Sequence, residues 1–470
     1  MTNTLANIEN AKGLSPEHRE ALEALLDVFS KNEARNRDLV RYYEGDVDPA
    51  PIGIDTVPEG ARVSMRLDWP RKAVTSVSER TRLDCFVFDG GEDASFSRIA
   101  RANGLVNAYN RHVESELTHG CMFATVNATE GGAPAVRFHT AQSAAGIWDV
   151  ANARLGSGFA VADARRTAWS PRSAVPVQVN LHLPEEIVVL RQASSCQWEA
   201  EALGHPMGRP LMESFSFRPT GAKPFGSSRI SKTVMDLSDE VMRTLQDMAV
   251  SSAMYASPSR YLLGLTDEQY DAIAKNKWAT AIGALILATR DEDGNVPSVG
   301  QLPAVSPQPY VEMLRAYAAL FSGATGVPLN SLGIVQDNPS SAEAIASARE
   351  DICIAAQDLI ESNRESLRNV ALMAMAVDAG TDVDGLSDAQ RSVMACFRDP
   401  TMPSMVTQSD AVIKLASADP SFAGTDVFYE KVGFDEATRR RVKAEKERAA
   451  AKAAVTALMA GGANGADTAQ

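Results

Sequence analysis

The sequence predicts an α+β fold that is mainly helical. Apolar residues recur at helical spacing in several long segments, whereas a block from Cys121 to about residue 215 alternates short β-rich runs with polar and glycine-rich turns. Apolar residues make up 45% of the 470-residue chain, enough to bury a large core. The formal net charge of −14 argues against a protein that coats nucleic acid, because phosphate neutralisation needs clustered Lys and Arg.

Three amphipathic helices are predicted before the strand-rich block. The first covers residues 15–45, because Ser15 can cap it, Pro16 suits the first helical position, and an apolar stripe follows at Leu22, Leu25, Leu26 and Phe29. A loop rich in Pro, Gly and Asp is predicted at 46–63. The second helix covers 68–83 and the third 95–119. The block that follows contains four β-rich runs: 123–126, 135–139, 175–182 and 186–190.

The second half returns to helices. Residues 228–256 keep the helical period through Val234, Leu237, Val241 and Leu245, and Pro258 ends the helix. An insert at 257–308 contains the apolar run from Trp278 to Thr289 and a possible hairpin turn at Asp293-Gly294. The remaining segments are predicted as a helix at 309–321, a loop at 322–339, a long helix from Ser340 to about 377, short helices at 385–433, a helix at 435–459 and a disordered tail at 461–470.

Motifs of enzymes are missing from the sequence. It holds no phosphate-binding glycine motif, no nucleophile elbow and no paired Cys/His spacing, so no cofactor and no catalytic residue is predicted. His112, Glu116 and His119 share a helix face; a metal site there is an alternative to a surface or satisfied core pair, which we favour. The five cysteines are expected to be reduced.

The termini and the hydropathy predict a soluble, cytoplasmic chain. The first ten residues lack a secretory signal, and the longest apolar run is shorter than the ~20 residues that a membrane helix needs. A basic cluster at Arg439–Lys443 has two interpretations. It is either a nucleic-acid patch or, as we prefer, a solvated helix face with pairs such as Arg441–Glu445 and Lys443–Glu447.

Five blocks resemble, in order, the portal proteins of tailed bacteriophages of the siphovirus type. They are NRDLVRYYEGD at 36–46; LDWPRKAV at 67–74 with SER at 78–80 and FVF at 86–88; GSSRI at 226–230; ASPSRY at 256–261, where the family reads closer to Ala-x-Pro-Gln-Arg; and TGVP at 325–328 with LG at 332–333 and NPSSAEAI at 338–345. The last block is the most specific, and the last ~90 residues resemble the family only loosely.

The resemblance implies a closed ring of about twelve subunits at one capsid vertex, with double-stranded DNA passing along its axis. It implies a virion location, assembly in the host cytoplasm, and contacts with the terminase, a head–tail adaptor and the major capsid protein, with scaffold as a further candidate. The implied parts are a wing at 1–227, a stem helix at 228–256, a clip at 257–308, a second stem helix at 309–321, a tunnel loop at 322–339, a long wing helix at 340–384 and a helical crown at 385–460.

Site residues follow from this division. Val234, Leu237, Val241 and Leu245 are expected to mediate oligomerisation, facing the neighbouring subunit or the paired helix. Trp278, Asp293 and Gly294 are expected to meet partners at the clip. The DNA channel is expected to be lined by Gly326, Pro328, Asn330, Leu332, Gln336, Asp337 and Asn338. Residues 322–339 contain no Lys or Arg, which suits a loop that must let DNA slide, although an ordinary helix connection is the alternative.

Two other function classes remain open at this stage. A head–tail adaptor or minor capsid protein would also be a component of a phage particle, but such chains are usually shorter or lack the helix–insert–helix–loop–helix order seen at 228–377. A metal-dependent phage enzyme would need several convergent carboxylates that bind a divalent ion. The sequence therefore favours a structural conduit that is not an enzyme.

Overall fold

The chain forms two compact units. Unit 1 comprises residues 1–36, 76–228 and 353–470, and unit 2 comprises 37–75 and 229–352. The computed structural model describes residues 5, 7–48, 65–89, 91, 93–167, 170–194, 197–256, 260–263, 298–301, 306–334, 347, 349–401, 405–434 and 436–463. The mixture of helices and antiparallel strands confirms the predicted α+β class.

Helices occur along the whole described chain. They are α1 (Pro16–Glu44), α2 (Trp69–Ser78), α3 (Ala94–Asn103), α4 (Leu105–His119), α5 (Lys232–Ala256), α6 (Gln308–Thr325), α7 (Glu350–Ala379), α8 (Asp388–Arg391), α9 (Met405–Ala418), α10 (Asp426–Val432) and α11 (Glu436–Ala463). Among the described residues, no helix combines the length and the apolar composition that a membrane span requires.

Strands concentrate between residues 83 and 216. They are β1 (Leu83–Val87), β2 (Cys121–Asn127), β3 (Ala135–Thr140), β4 (Ala144–Asp149), β5 (Arg154–Thr167), β6 (Ser170–His182), β7 (Glu186–Ser194), β8 (Gln197–Gly204), β9 (Met212–Ser216), β10 (Arg260–Leu263), β11 (Ser298–Gln301) and β12 (Met394–Phe397). The four predicted β-rich runs lie within β2, β3, β6 and β7 and are confirmed.

The main core of unit 1 lies between α1 and a five-stranded antiparallel meander of order β4-β5-β6-β7-β8. The predicted stripe of α1 supplies buried Leu22, Leu25 and Phe29. Phe29 meets Phe159 of β5 edge to face, with 5.3 Å between the ring centroids. A second, three-stranded sheet has the order β3-β2-β9. The alternation of apolar residues along each strand therefore buries one face of the meander under the helix.

Several predicted helix boundaries are wrong. The helix expected at 68–83 ends at Ser78, and β1 begins at Leu83 because that segment pairs with β12. The helix expected at 95–119 is two helices, divided at Gly104, whose φ of +55° is a left-handed conformation that glycine adopts at low cost. Helix α6 continues to Thr325, so the first four residues of the predicted loop at 322–339 are helical.

The C-terminal region also differs from the expectation. The segment from 385 is not wholly helical, because Met394–Phe397 forms β12 and pairs with β1. The predicted helix at 435–459 is confirmed as α11, which continues through residues 461–463 of the tail expected to be disordered. The long helix predicted from Ser340 is described as α7 from Glu350, and its predicted start at 340–343 lies outside the described residues.

Candidate functional site

Residues from four of the five sequence blocks meet within unit 2. We call Tyr43, Trp69, Arg71, Arg229 and Thr325, with the neighbouring Phe321, the motif cluster. Arg71, on α2, places its guanidinium 5.4 Å from the Tyr43 ring centroid, and its Nε donates to the Tyr43 carbonyl oxygen at 3.2 Å. The pair joins the first two blocks by a cation–π contact and a hydrogen bond.

Arg229 connects three elements of the same cluster. Its Nε donates to the carbonyl oxygen of Ala73 on α2 at 3.0 Å, and an Nη donates to that of Thr325 at the end of α6 at 2.5 Å. Beside it, the centroids of the Trp69 and Phe321 rings lie 5.3 Å apart. The last carbonyls of a helix have no partner within the helix, so a guanidinium is well suited to fix this helix end.

The predicted channel residues fall into three groups. Gly326 caps α6 with a φ of +72°, and its amide donates to Ser322. Pro328 and Leu332 are buried, whereas Asn330 is exposed in the short 3₁₀ helix Leu329–Leu332. Gln336, Asp337 and Asn338 lie outside the described residues. Within the part that is described, the loop thus presents Asn330, and not Pro328 or Leu332, to its surroundings.

The predicted oligomerisation residues lie on α5, which packs beside α6. Val234 and Val241 are buried within the single chain, and Leu237 and Leu245 are half-buried. On another part of the helix, Asp239 accepts a hydrogen bond from the Tyr42 hydroxyl at 3.0 Å. Burial, with the hydrogen bond to Asp239, raises the pKa of Tyr42 well above its ordinary value, so the hydroxyl stays a donor.

The structure describes only the two ends of the predicted clip at 257–308. Strands β10 and β11 pair antiparallel and bracket the insert, from Arg260 opposite Gln301 to Leu263 opposite Ser298. Trp278, Asp293 and Gly294 lie outside the described residues. The assignment of this insert to a partner surface stays a prediction.

Sequence reasoning missed an exposed apolar stripe on α6. Met313 is 44% exposed and Leu320 is 60% exposed. With Ala316 and Ala324, which are also exposed, they follow the spacing of one helix face. The signal was present in the sequence, but periodicity alone cannot say which of two apolar faces the chain itself buries.

The residues weighed as a metal site are engaged in other ways. His112 Nδ1 donates to the Ala108 carbonyl oxygen at 2.8 Å, and His119 makes a similar bond to Ser115 at 2.9 Å. Buried Glu116 accepts a hydrogen bond from Asn363 Nδ2 at 2.7 Å, and burial raises the pKa of this carboxyl to about 8. Among the described residues, no group of three or more His, Cys, Asp or Glu side chains could hold a metal ion.

The basic cluster on α11 is divided between the interior and the surface. Arg439 is buried and pairs with Asp84 at 3.0 Å and Glu430 at 3.5 Å, whereas Arg440 and Arg441 are exposed. Lys443 pairs with Asp426 at 2.6 Å, and not with Glu447 as the sequence suggested. A buried, paired Arg439 is unavailable to phosphate, which leaves the solvated-face interpretation for its exposed neighbours.

Two curated proteins are similar to this chain over nearly its whole length. The portal protein of Mycobacterium phage D29 is 22% identical over 442 residues, which cover 92% of this chain and 89% of the relative. The portal protein of Mycobacterium phage L5 is 24% identical over 428 residues, 88% of this chain and 85% of the relative. The chain is therefore similar to bacteriophage portal proteins over about nine-tenths of its length. The resemblance expected from the five sequence blocks, and with it a portal-type connector role, is therefore confirmed.

The solved structures that resemble this chain share little sequence identity with it. No family model matches the chain. A solved structure described as the neck of a native GTA particle covers 85% of this chain and 96% of its own, with 13% identity and a TM-score of 0.39. The neck of an empty GTA particle covers 83% and 97%, with 14% identity and a TM-score of 0.43.

Proposed function

We propose that this portal homologue assembles into a closed ring at one vertex of a phage capsid and forms a channel through which double-stranded DNA enters and leaves. The observation that carries the proposal is the similarity to two portal proteins over about nine-tenths of the chain. The terminase, a head–tail adaptor and the major capsid protein are the proposed partners. No cofactor is needed for this role.

The exposed stripe of α6 supports assembly. Met313 and Leu320 offer apolar surface in the single chain, and burying such surface at an interface is favourable by roughly 25 cal/mol per Å². A neighbouring subunit is the occupant that a ring would supply to every copy at once. In this proposal, α5 and α6 form the stem, and Leu237 and Leu245 lie close to the same contact.

The first test of the proposal is whether the purified protein assembles into closed rings. Purified protein is expected to form closed rings of about twelve subunits by negative-stain electron microscopy and native mass spectrometry. Leu320→Asp should abolish them, because an unpaired charge buried at an apolar interface costs several kcal/mol. Gln308→Asp, at an exposed position in the first turn of the same helix, is the control and should assemble normally.

A half-buried stem position gives a second test of assembly. Leu237→Asp is expected to block ring formation, whereas Thr233→Asp, exposed near the start of α5, should not. Circular dichroism of both variants shows whether the subunit still folds. A stable wild-type monomer at micromolar concentration, or wild-type ring yield from both Leu320→Asp and Leu237→Asp, would contradict the proposal.

The channel role is tested at Asn330. In a ring of about twelve subunits, Asn330→Lys adds about twelve positive charges, and each new phosphate contact strengthens DNA retention in a salt-dependent way. Packaging should slow at low salt and partly recover at higher salt while ring yield stays normal. Asn330→Gln is the neutral control, and adding Gln336→Lys should enlarge the effect. Packaging by the Lys variants like that of wild type at every ionic strength would show that the loop does not line the channel.

A further inference from the structure

Two cysteines face each other across a strand pair that joins distant parts of the chain. Strands β1 and β12 pair antiparallel, with Cys85 directly opposite Cys396. Residues directly opposite in an antiparallel pair have Cα atoms about 4.5–5.5 Å apart. Disulfides need a Cα separation of about 4.4–6.8 Å, so the strand register already satisfies this requirement without backbone movement.

The thiols also lie beside a buried cation. Arg439 is 8% exposed, and its Nη2 lies 3.8 Å from the Cys85 sulfur and 3.0 Å from Asp84 Oδ2. Asp84 also receives hydrogen bonds from Arg398 at 3.3 Å. Cys85 is buried and Cys396 is half-buried, so Cys396 is the more accessible of the two sulfurs.

The surroundings of the pair, and first a hydrogen bond from Cys85, favour a thiolate at Cys396. A hydrogen bond from the Cys85 thiol lowers the pKa of Cys396 below its ordinary value; Arg364 and Arg439 act in the same sense, against burial and Glu430. Cys121 shows the opposite behaviour, because burial, with the nearby Glu116, raises its pKa to about 12. Thiolates and not thiols are the nucleophiles in disulfide chemistry, so the two sites should differ strongly in reactivity.

We propose that Cys85 and Cys396 are a redox-active pair that forms a reversible disulfide by exchange with a low-molecular-weight disulfide such as oxidised glutathione. The Cys396 thiolate attacks one sulfur of oxidised glutathione, forms a mixed disulfide and releases one glutathione thiolate. The Cys85 thiolate, next to Arg439, then attacks the Cys396 sulfur and releases the second glutathione. Two protein thiols are oxidised, one glutathione disulfide is reduced to two thiols, and the two protons pass to the released thiolates.

The product would be a covalent connection between β1 and β12. These strands form a sheet of only two members, and an isolated two-stranded pair is marginally stable in water. A disulfide between residues far apart in the chain restricts the unfolded ensemble strongly. The pair would remain reduced inside a reducing cell and close when the protein meets oxidising surroundings. This inference concerns unit 1 and does not depend on the proposed DNA channel.

Tryptic mapping of the oxidised full chain tests the pair directly. The two cysteines fall in separate tryptic peptides, residues 83–98 and 392–398. After incubation in excess oxidised glutathione and alkylation of free thiols, the peptides should be recovered joined, with a mass equal to their sum less two hydrogens. Cys121 and Cys353 should remain alkylated. Dithiothreitol should restore both single peptides.

Variants and thermal unfolding complete the test. Oxidation should raise the Tm by about 5 °C, and Cys396→Ser should remove this shift while Cys353→Ser, the matched control, keeps it. Arg439→Met should slow disulfide formation several-fold. The proposal is overturned if Cys85 and Cys396 stay free in oxidised wild-type protein, or if they join other cysteines as readily as each other.

Discussion

The two units use different means to hold distant chain segments together. Unit 2 relies on guanidinium contacts and an aromatic pair: Arg229 bonds two backbone carbonyls, and Trp69 meets Phe321. Unit 1 relies on antiparallel sheets, a helix stripe and buried titratable groups such as Glu116 and His182. Contacts that need one particular side chain leave a motif in the sequence, whereas a sheet accepts many apolar residues at each inward position.

The largest effect is expected at Arg229. Arg229→Ala removes two charge-assisted hydrogen bonds and leaves the carbonyls of Ala73 and Thr325 without this partner, which should lower the free energy of unfolding by about 4 kcal/mol. Urea unfolding measures the change. Arg315→Ala, at an exposed position of α6, is the control and should change the free energy of unfolding by less than about 0.5 kcal/mol. If both variants lowered the free energy of unfolding equally, Arg229 would have no special role in unit 2, and the contrast drawn between the two units would be wrong.

Acid should weaken unit 1 through His182. This side chain is fully buried, lines a cavity of about 300 Å³ together with His139, Arg137 and Asp163, and has no hydrogen-bond partner for either ring nitrogen among the described residues. Burial, with the charges of His139 and His205, lowers its pKa to about 3. The unfolded chain binds the proton near pH 6.5, so stability is present above that pH and is lost as pH falls towards 3.

The measurable quantity is the slope of stability against pH. Each pH unit below about 6 should cost up to about 1.4 kcal/mol through this group, and His182→Gln should reduce that slope in urea unfolding between pH 4 and 7. His18, which is paired with Glu186 at 2.7 Å, gives the matched control His18→Gln. An unchanged acid slope in His182→Gln would show that the ring is not the buried proton acceptor.

Glu116 should act in the opposite direction. Its folded pKa is raised from 4.5 to about 8 by burial, against the hydrogen bond from Asn363. The folded state therefore binds more protons than the unfolded state between these values, and the contribution to stability falls as pH rises from about 4.5 to 8. Glu116→Gln keeps the size of the side chain and should flatten stability between pH 6 and 8. A steeper alkaline decline in this variant than in wild type would contradict the assignment.

The smallest expected effects come from two glycines at the end of α6. A Cβ at Gly326 would lie 2.8 Å from the Asp351 Cβ, and the φ of +72° disfavours other residues, so Gly326→Ala should destabilise unit 2 by about 2 kcal/mol. Gly323 lies within the helix with open space around it, and Gly323→Ala should stabilise by about 0.5–1 kcal/mol. Thermal unfolding of both variants should give shifts of opposite sign.

The sequence alone was enough for the elements whose signals are local. The stripe of α1 and the four β-rich runs could be read from periods of 3.6 and 2 residues, and the five blocks were enough to identify the portal resemblance. The candidate site was harder to predict from the sequence. The resemblance implied that Pro328 and Leu332 line a channel, but it could not show that both side chains are buried within the chain.

The tertiary structure decided what depends on partners distant along the chain. Residues 394–397 are a strand because β1 supplies the missing hydrogen bonds, and that pairing places Cys85 opposite Cys396. The sequence predicted Arg439 on the same solvated helix face as its neighbours. Its burial depends on an ion pair with Asp84, which is distant along the chain. Local periodicity reports which face of a segment is apolar, but the register between distant segments and the burial of a charge arise only when the chain folds.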